Sequence, residues 1–566
     1  MSMKRGFRPA ALAGIVVGLV LVGAAAFAGS AHPSAKATPL DKVDHIVVVY
    51  EENHSFDNLY GGWEGVNGRS NADAAHTTQV DQYGAPYTCL KQNDVNLVAL
   101  PSTCTDAAHS FSSAFTNTWF MIDPLIPATA TTCPRPLQAF SFANGVPNGQ
   151  GLPGGCTRDL VHKFYQEQYQ LNSGAQNRYM VGSDAIGLTM GQYDTTQLPV
   201  YKWLHEKNHP SYVIGDNFFQ AAFGGSFLNH QYLIAAQPPS DANAPANLHS
   251  QVDSAGFPRN NYPLYAPLAG ASYKDSDFTV TCPAPSPNLA CGNFAVNTMQ
   301  PSSEPSGTFG EKLVTQTNPT IGDRLTAKGV DWAWYSGGWA DAAGLTADPG
   351  YTNGPGPNCT NPNKDPSVKF VYPNCPDNVF QYHHQPFNYY ANYAVGAPGR
   401  AHLQDEADFL NLVADSSKQG NECALKPVSF WKPIGAENEH PGYASTPNGD
   451  DKLVSVLKAI EASGCAKNTM VVVTYDEFGG QWDHVAPPGQ GNDNGPHDQF
   501  GPGTRVPALI LAPELKNGFS VDSTEHDTTS ILATIEHRFG LAPLSTRDAA
   551  VNDLSTVWSA NRVSNK

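Results

Sequence analysis

Two acidic motifs lie more than four hundred residues apart in this chain, each directly after a run of β-branched residues. Residues 44–50 (DHIVVVY) run into Glu51-Glu52-Asn53-His54-Ser55-Phe56-Asp57. Residues 469–475 (TMVVVTY) run into Asp476-Glu477-Phe478-Gly479-Gly480-Gln481-Trp482-Asp483-His484. Brought together, Glu52, Asn53, Asp476 and Glu477 make an oxygen-rich pocket that suits one divalent cation. Hard oxygen donors favour Ca²⁺, Mg²⁺ or Mn²⁺ over a thiolate-type zinc site. Ser226 offers a nucleophilic hydroxyl in Gly224-Gly225-Ser226-Phe227-Leu228-Asn229, where glycines let backbone approach an anionic ligand. His162, the adjacent pair His383-His384, His440 and His484 supply titratable groups for acid–base work or substrate binding. Taken singly, each feature has a plainer reading: acids and Ser226 as helix caps, histidines as core residues.

The elements that must position these groups are legible as patterns. A short β-branched run ending at carboxylates reads as a strand buried on both faces, as in a parallel sheet. Open α/β sheets bind ligands at the carboxyl ends of such strands, where these acids stand. Further strands are expected at 211–219 (SYVIGDNFF), 330–335, 427–431 and 505–512 (RVPALILA). Helices are expected at about 158–176, 198–207, 451–463 and 528–539. The alternation implies an α/β fold, a mostly parallel central sheet sandwiched by helices, with a loop-rich insertion or smaller lid region. Residues 237–306 are rich in Pro, Asn and Ser, and 337–378 are too rich in Gly, Pro and Asn for regular structure. Loops of this length usually form functional walls or lids.

Composition narrows the class. The formal net charge of −18 makes a dominant basic patch, and hence a nucleic-acid partner, a poor fit. Lys4, Arg5 and Arg8 precede a small-apolar stretch at 10–27 that ends in Ala26-Phe27-Ala28. This reads as a signal peptide over residues 1–28, with a second cleavage option at Ala35-Lys36-Ala37 and retention as an anchor also open. The mature catalytic domain would then cover 38–566, be periplasmic or secreted, and carry no stable membrane span. The even count of ten cysteines agrees with export: Cys89, Cys104, Cys133, Cys156, Cys282, Cys291, Cys359, Cys375, Cys423 and Cys465. Pairing each with its neighbour in sequence would staple local loops, although spacing alone leaves the connectivity open.

Together these segments resemble the bacterial phosphoesterase family of secreted acid phosphatases and phospholipases C, in the alkaline phosphatase superfamily. The resemblance runs from about 44 to 554. It rests on EENHSFDNLYG (51–61), TYDEFGGQWDHVAPP (474–488), GTRVPALILAP (503–513) and HDTTSILATIEHRFGL (526–541), with weaker blocks at 159–168, 187–204, 223–235 and 438–445. The resemblance implies metal ligands at Glu52, Asn53, Asp476 and Glu477, and Ser226 as nucleophile and fifth ligand. It places catalytic histidines at His162, His440 and His384, with His383 and His484 as substrate-binding candidates. Ser226 followed by Asn229-His230 stands where the phospholipase branch more often has Thr in an NR-type motif. The chain also ends 25 residues after Leu541, short of the C-terminal β domains of many phospholipases in the family. Both departures look like the acid phosphatase branch. The expectation is an exported metal-dependent phosphoric monoester hydrolase working through a phosphoseryl intermediate. The alternatives are a phospholipase C acting on phosphodiester lipid head groups and a secreted calcium- or phosphate-binding protein without catalysis.

Overall fold

The computed structural model describes residues 38–95, 99–126, 157–206, 209, 211–240, 294–307, 312–351, 380–418, 422–442, 444–489 and 496–563. It also gives the backbone of two short strands, Leu248–Asp253 and Ser272–Ser276. The expected signal peptide, the cysteines at 133, 156, 282, 291, 359 and 375, and most of both expected insertions lie outside the described residues.

A nine-stranded sheet forms the centre. In chain order its strands are β1 (His45–Glu51), β2 (Tyr212–Gly215), β3 (Trp332–Ser336), β4 (Leu403–Asp405), β5 (Val428–Lys432), β6 (Thr469–Tyr475), β7 (Ala508–Leu511), β8 (Phe519–Asp522) and β9 (Asn561–Arg562). They are arranged 4-3-5-1-6-7-2-8-9. The block 4-3-5-1-6 is parallel throughout, β7 runs antiparallel to both its neighbours, and β2 and β8 pair in parallel. The sheet is therefore mostly parallel, as the buried β-branched runs imply.

Both faces of the central strands are covered: β1 is buried from Ile46 onward and β6 along its whole length. Helices α1 (Phe56–Leu59), α2 (Phe164–Leu171), α3 (Ser226–Ala235), α4 (Glu406–Ser416), α5 (Thr446–Glu461) and α6 (Thr529–Phe539) supply much of that cover. Helix α4 packs against α5, and α3 against α6. Aromatic pairs fill the layer between: Trp334 stacks on Phe430 at 5.4 Å, and Trp431 on Phe409 at 5.4 Å.

Element bounds differ from the expectations where a local group wins over periodicity. The expected helix at 158–176 is helical only over α2, because residues 158–162 are drawn out along a cleft. There Arg158 pairs with Asp184 at 2.7 Å. Left-handed Asn172 (φ 46°) then ends the helix. Strand β7 starts three residues later than expected: Pro507 has no N–H to give a ladder, and Arg505 is engaged with Asp483 and Asp57 instead. A short helix, Trp339–Ala343, stands in a segment expected to lack regular structure. Two of the neighbour disulfides are present among the described residues, Cys89–Cys104 and Cys423–Cys465.

Candidate active site

Register builds the site. Tyr50 pairs with Thr474 and Glu51 with Tyr475, so the next residues, Glu52 and Asp476, leave the sheet side by side. Val49 pairs with Trp431 on the other side, which sets Lys432 beside the same edge. Asn53 takes a left-handed backbone (φ 63°), a conformation that Asn tolerates better than most residues. Its N–H donates to Asp476 Oδ1 at 3.0 Å. Gly479 (φ 65°) lets the second motif fold over the first, since a Cβ there would stand 2.2 Å from the Asn53 carbonyl oxygen.

Ser226 arrives from another direction. Gly224 (φ 89°) turns the chain where a Cβ would meet the Phe164 backbone nitrogen at 2.5 Å, and α3 begins at Ser226 itself. Glu167 holds this turn, accepting from the Gly224 N–H and from Thr504 and Gln220. Ser226 Oγ lies 3.4 Å from Glu52 Oε2 and 3.5 Å from Asn53 Oδ1. The four expected oxygen donors and the expected nucleophile thus come from three parts of the chain into one buried group.

The electrostatics fit a cation. Glu52, Asp476 and Glu477 are fully buried, and Asp476 Oδ2 and Glu477 Oε1 have no hydrogen-bond donor. Burial, with the charge of Glu52 added, pushes the Asp476 carboxyl up to about 8. Burial and the charge of Asp476 push Glu477 well above its ordinary range. Burial acts on Glu52 in the same sense, but His384 and Lys432 outweigh it and hold that carboxyl well below its usual range. Buried carboxylates at the ends of β1 and β6, two of them with an oxygen that accepts no hydrogen bond, are groups that a divalent ion satisfies, and its charge favours their ionised forms; Glu52 also converges with His230 and His384.

The histidines divide between two depths. His162, His383 and His440 line a cleft of about 590 Å³ that also reaches Ser226. Asn53 Nδ2 donates towards His440 Nε2 at 3.0 Å and His162 Nε2 at 3.4 Å, while each Nδ1 faces a backbone carbonyl, Pro441 or Leu160. His384 sits behind, its Nε2 2.6 Å from Glu52 Oε1. Burial pushes its imidazole down to about 4, even with Glu52 opposing. Within the adjacent pair the geometry therefore departs from expectation: His383 faces the cleft and His384 faces a carboxylate. His484 is held elsewhere, with Nδ1 2.6 Å from Asp57 Oδ2 in a buried network with Asp483 and Arg505. Those contacts give it a structural setting rather than the expected place beside a substrate.

Sequence reasoning passed over two residues. Lys432 ends β5 fully buried, with Nζ 2.6 Å from Glu52 Oε1. His230, one helical turn beyond Ser226, donates from Nδ1 to the Ser226 carbonyl at 2.8 Å and stacks on His384 at 5.3 Å. A lysine ending an apolar strand, and a histidine at i+4 from a candidate nucleophile, were the available signals. The first loop-rich region reaches the cleft through Val296, Asn297 and Thr298, and Gln381 and His383, just after the second, line it as well.

A parallel α/β sheet with a carboxylate-and-serine pocket at its strand ends defines the class. The sequence profile of the Phosphoesterase family matches residues 43–542, and the chain belongs to that family. Over 156 residues it is 34% identical to non-specific phospholipase C6 of Arabidopsis thaliana, covering 24% of this chain and 30% of that protein. Over 252 residues it is 30% identical to the non-hemolytic phospholipase C of Burkholderia pseudomallei, covering 39% and 32%. Phospholipase C B of Mycobacterium tuberculosis is 31% identical over 159 residues, covering 24% and 30%. The chain thus spans about a third of the length of these curated relatives. Among solved structures, a protein of the alkaline phosphatase superfamily from Vibrio parahaemolyticus matches at 14% identity. That match covers 42% of this chain and 50% of that one, with a TM-score of 0.21, too slight a likeness to argue from.

Proposed function

We infer that this chain is a metal-dependent phosphoric ester hydrolase whose nucleophile is Ser226 and whose preferred substrates are phosphomonoesters. The observation that carries the reading is the position of Ser226 Oγ. It stands at the start of a ten-residue helix, open to the cleft, and within 3.5 Å of both Glu52 Oε2 and Asn53 Oδ1.

Glu52, Asn53, Asp476, Glu477 and Ser226 Oγ would hold a divalent ion. Such an ion lowers the pKa of a serine hydroxyl and offsets the charge of a phosphoryl group. Ser226 Oγ attacks phosphorus, its proton leaving on cleft water, while the bond to the ester oxygen breaks on the opposite side. Phosphoserine and an alcohol result. His162 and His440 line the cleft beside Ser226, and one of the cleft histidines protonates the departing oxygen. Water then attacks the phosphoserine and returns Ser226 with inorganic phosphate. His383 lines the same cleft. Helix α3 adds the partial positive charge of its first turn.

Burial pushes the His383 and His440 imidazoles below their ordinary range, so positive charge to match a doubly negative monoester is present only at acidic pH, and activity falls as pH rises. The second reading is phospholipase C chemistry, favoured by the printed activities of the curated relatives. Rates on p-nitrophenyl phosphate and p-nitrophenyl phosphorylcholine, each measured from pH 4 to 9, separate the two. Faster turnover of the phosphorylcholine ester, or a maximum above pH 8, selects the second. The chain's export rests on its N-terminal pattern. No helix of the described residues is long and apolar enough to cross a membrane.

A further inference from the structure

The two oxygens of Glu52 do different work. Oε1 lies 2.6 Å from Lys432 Nζ and 2.6 Å from His384 Nε2, whereas Oε2 faces Ser226 Oγ at 3.4 Å and His440 Nε2 at 3.8 Å. Lys432 is itself fixed. Its ammonium donates to the Tyr50 carbonyl at 2.8 Å and the Glu51 carbonyl at 3.2 Å, and it forms an ion pair with the Glu52 carboxylate. The side chain is 0% exposed, and its Nζ lies 5.3 Å from the Tyr50 ring centre. A buried lysine is costly unless it is paired and hydrogen-bonded, and here the pairing is with one of the acids that face Ser226.

We propose that Lys432 is a positioning residue that, together with His384, restricts Glu52 to one-oxygen ligation and sets the net charge of the metal pocket. Three carboxylates around a divalent ion leave one negative charge, and Lys432 cancels it. With Oε1 engaged from behind, Glu52 presents only Oε2 to the ion and to Ser226. This keeps the pocket electron-poor enough to activate the serine. Without Lys432 the pocket carries an extra negative charge and Glu52 is free to turn both oxygens inward. The ion is then held more tightly and activates Ser226 less.

The inference rests on the metal-dependent reading of the same pocket, and its signature is opposite movement of affinity and turnover. The chelator-treated full chain and its variants are titrated with Mn²⁺, and free ion is followed by electron paramagnetic resonance, which is independent of activity. Lys432→Met should bind Mn²⁺ on the order of tenfold more tightly while kcat on p-nitrophenyl phosphate drops by a similar factor or more. Lys432→Arg, keeping the charge, should hold the wild-type Kd. His384→Asn partly frees Oε1 with the lysine charge still present, so it should also tighten Mn²⁺ binding, by less than Lys432→Met does. Unchanged or weaker Mn²⁺ binding by folded Lys432→Met overturns the proposal, because it makes Lys432 a structural cation alone. If Lys432→Met is not recovered folded, His384→Asn decides, and binding there no tighter than wild type overturns the proposal equally. A wild-type chain that binds no Mn²⁺, Ca²⁺ or Mg²⁺ refutes the metal-dependent reading itself, an outcome distinct from either of these.

Discussion

The backbone N–H of Asn53 donates to Asp476 Oδ1 across 3.0 Å, joining residues 423 positions apart in the chain. This bond links the turn after β1 to the turn after β6 and fixes the left-handed conformation of Asn53. Its side chain is thereby aimed with Oδ1 towards Ser226 and Nδ2 towards His162 and His440. Glu52, Asn53, Asp476 and Glu477 stand together because the two strands they follow are adjacent and hydrogen-bonded.

Ser226→Ala should lower kcat by about three orders of magnitude or more, the usual loss when a covalent nucleophile is removed. Ser226 makes no N-cap bond, since Gly225 holds that position. Its Oγ is nevertheless a buried donor to Glu52 and Asn53, so unfolding free energy should fall by about 1 kcal/mol. Single-turnover kinetics and urea melts check both halves, and near-wild-type turnover in a folded variant removes Ser226 from the mechanism.

Gly479→Ala should damage fold and activity together. The backbone there has φ 65°, and the added Cβ would stand 2.2 Å from the Asn53 carbonyl oxygen. A cost of about 2 kcal/mol or more is expected from left-handed strain and the clash combined. Urea unfolding gives the stability, and metal titration shows whether Asn53 has moved. An unaltered midpoint contradicts the close approach.

Metal removal should inactivate the chain reversibly. Mn²⁺ at about a hundred times its Kd stabilises the folded state by about 2.7 kcal/mol, seen as a higher Tm. An Asp476→Asn, Glu477→Gln double variant should lose that increment. Wild-type metal content in the double variant refutes the placement.

His484 gives a pH dependence of stability. Burial disfavours its charged form, but the bond to Asp57 and the charges of Asp57 and Asp483 prevail, so its pKa is raised above the ordinary 6.5. A histidine raised on folding contributes stability that is fully present below about pH 6.5. That contribution disappears as pH rises through the folded value. The stability difference between wild type and His484→Gln should therefore shrink from pH 6 to pH 9. A difference that grows over that range reverses the sign and rejects the argument.

The Cys423–Cys465 disulfide closes a 42-residue separation and ties the loop before β5 to the approach to β6. Replacing both cysteines by serine should cost about 2–4 kcal/mol. Calorimetry of the pair variant checks it, and an unchanged Tm excludes a stabilising role.

The sequence by itself determined the elements that periodicity and chemistry mark locally. Runs such as VVVY and VVVTY read as strands covered on both faces, and acids ending them point to the carboxyl edge of a parallel sheet. Glu52, Asn53, Asp476 and Glu477 were legible for that reason, whereas Ser226, which alone reads as an N-cap, was singled out by the family resemblance. Tertiary structure alone decided which neighbours those residues have. Lys432 reaches Glu52 because β5 lies beside β1 in register, and strand order across a sheet leaves no trace in local spacing. His383 and His384 differ by one position, yet a short 3₁₀ turn sends one ring to the cleft and the other to Glu52. His484 follows the second motif closely, but Asp57 and Arg505, 427 and 21 residues away, hold it in a buried ion network. Pairwise electrostatics act through space, so a side chain's partners, and with them its protonation and its work, are set only when distant strands and helices pack.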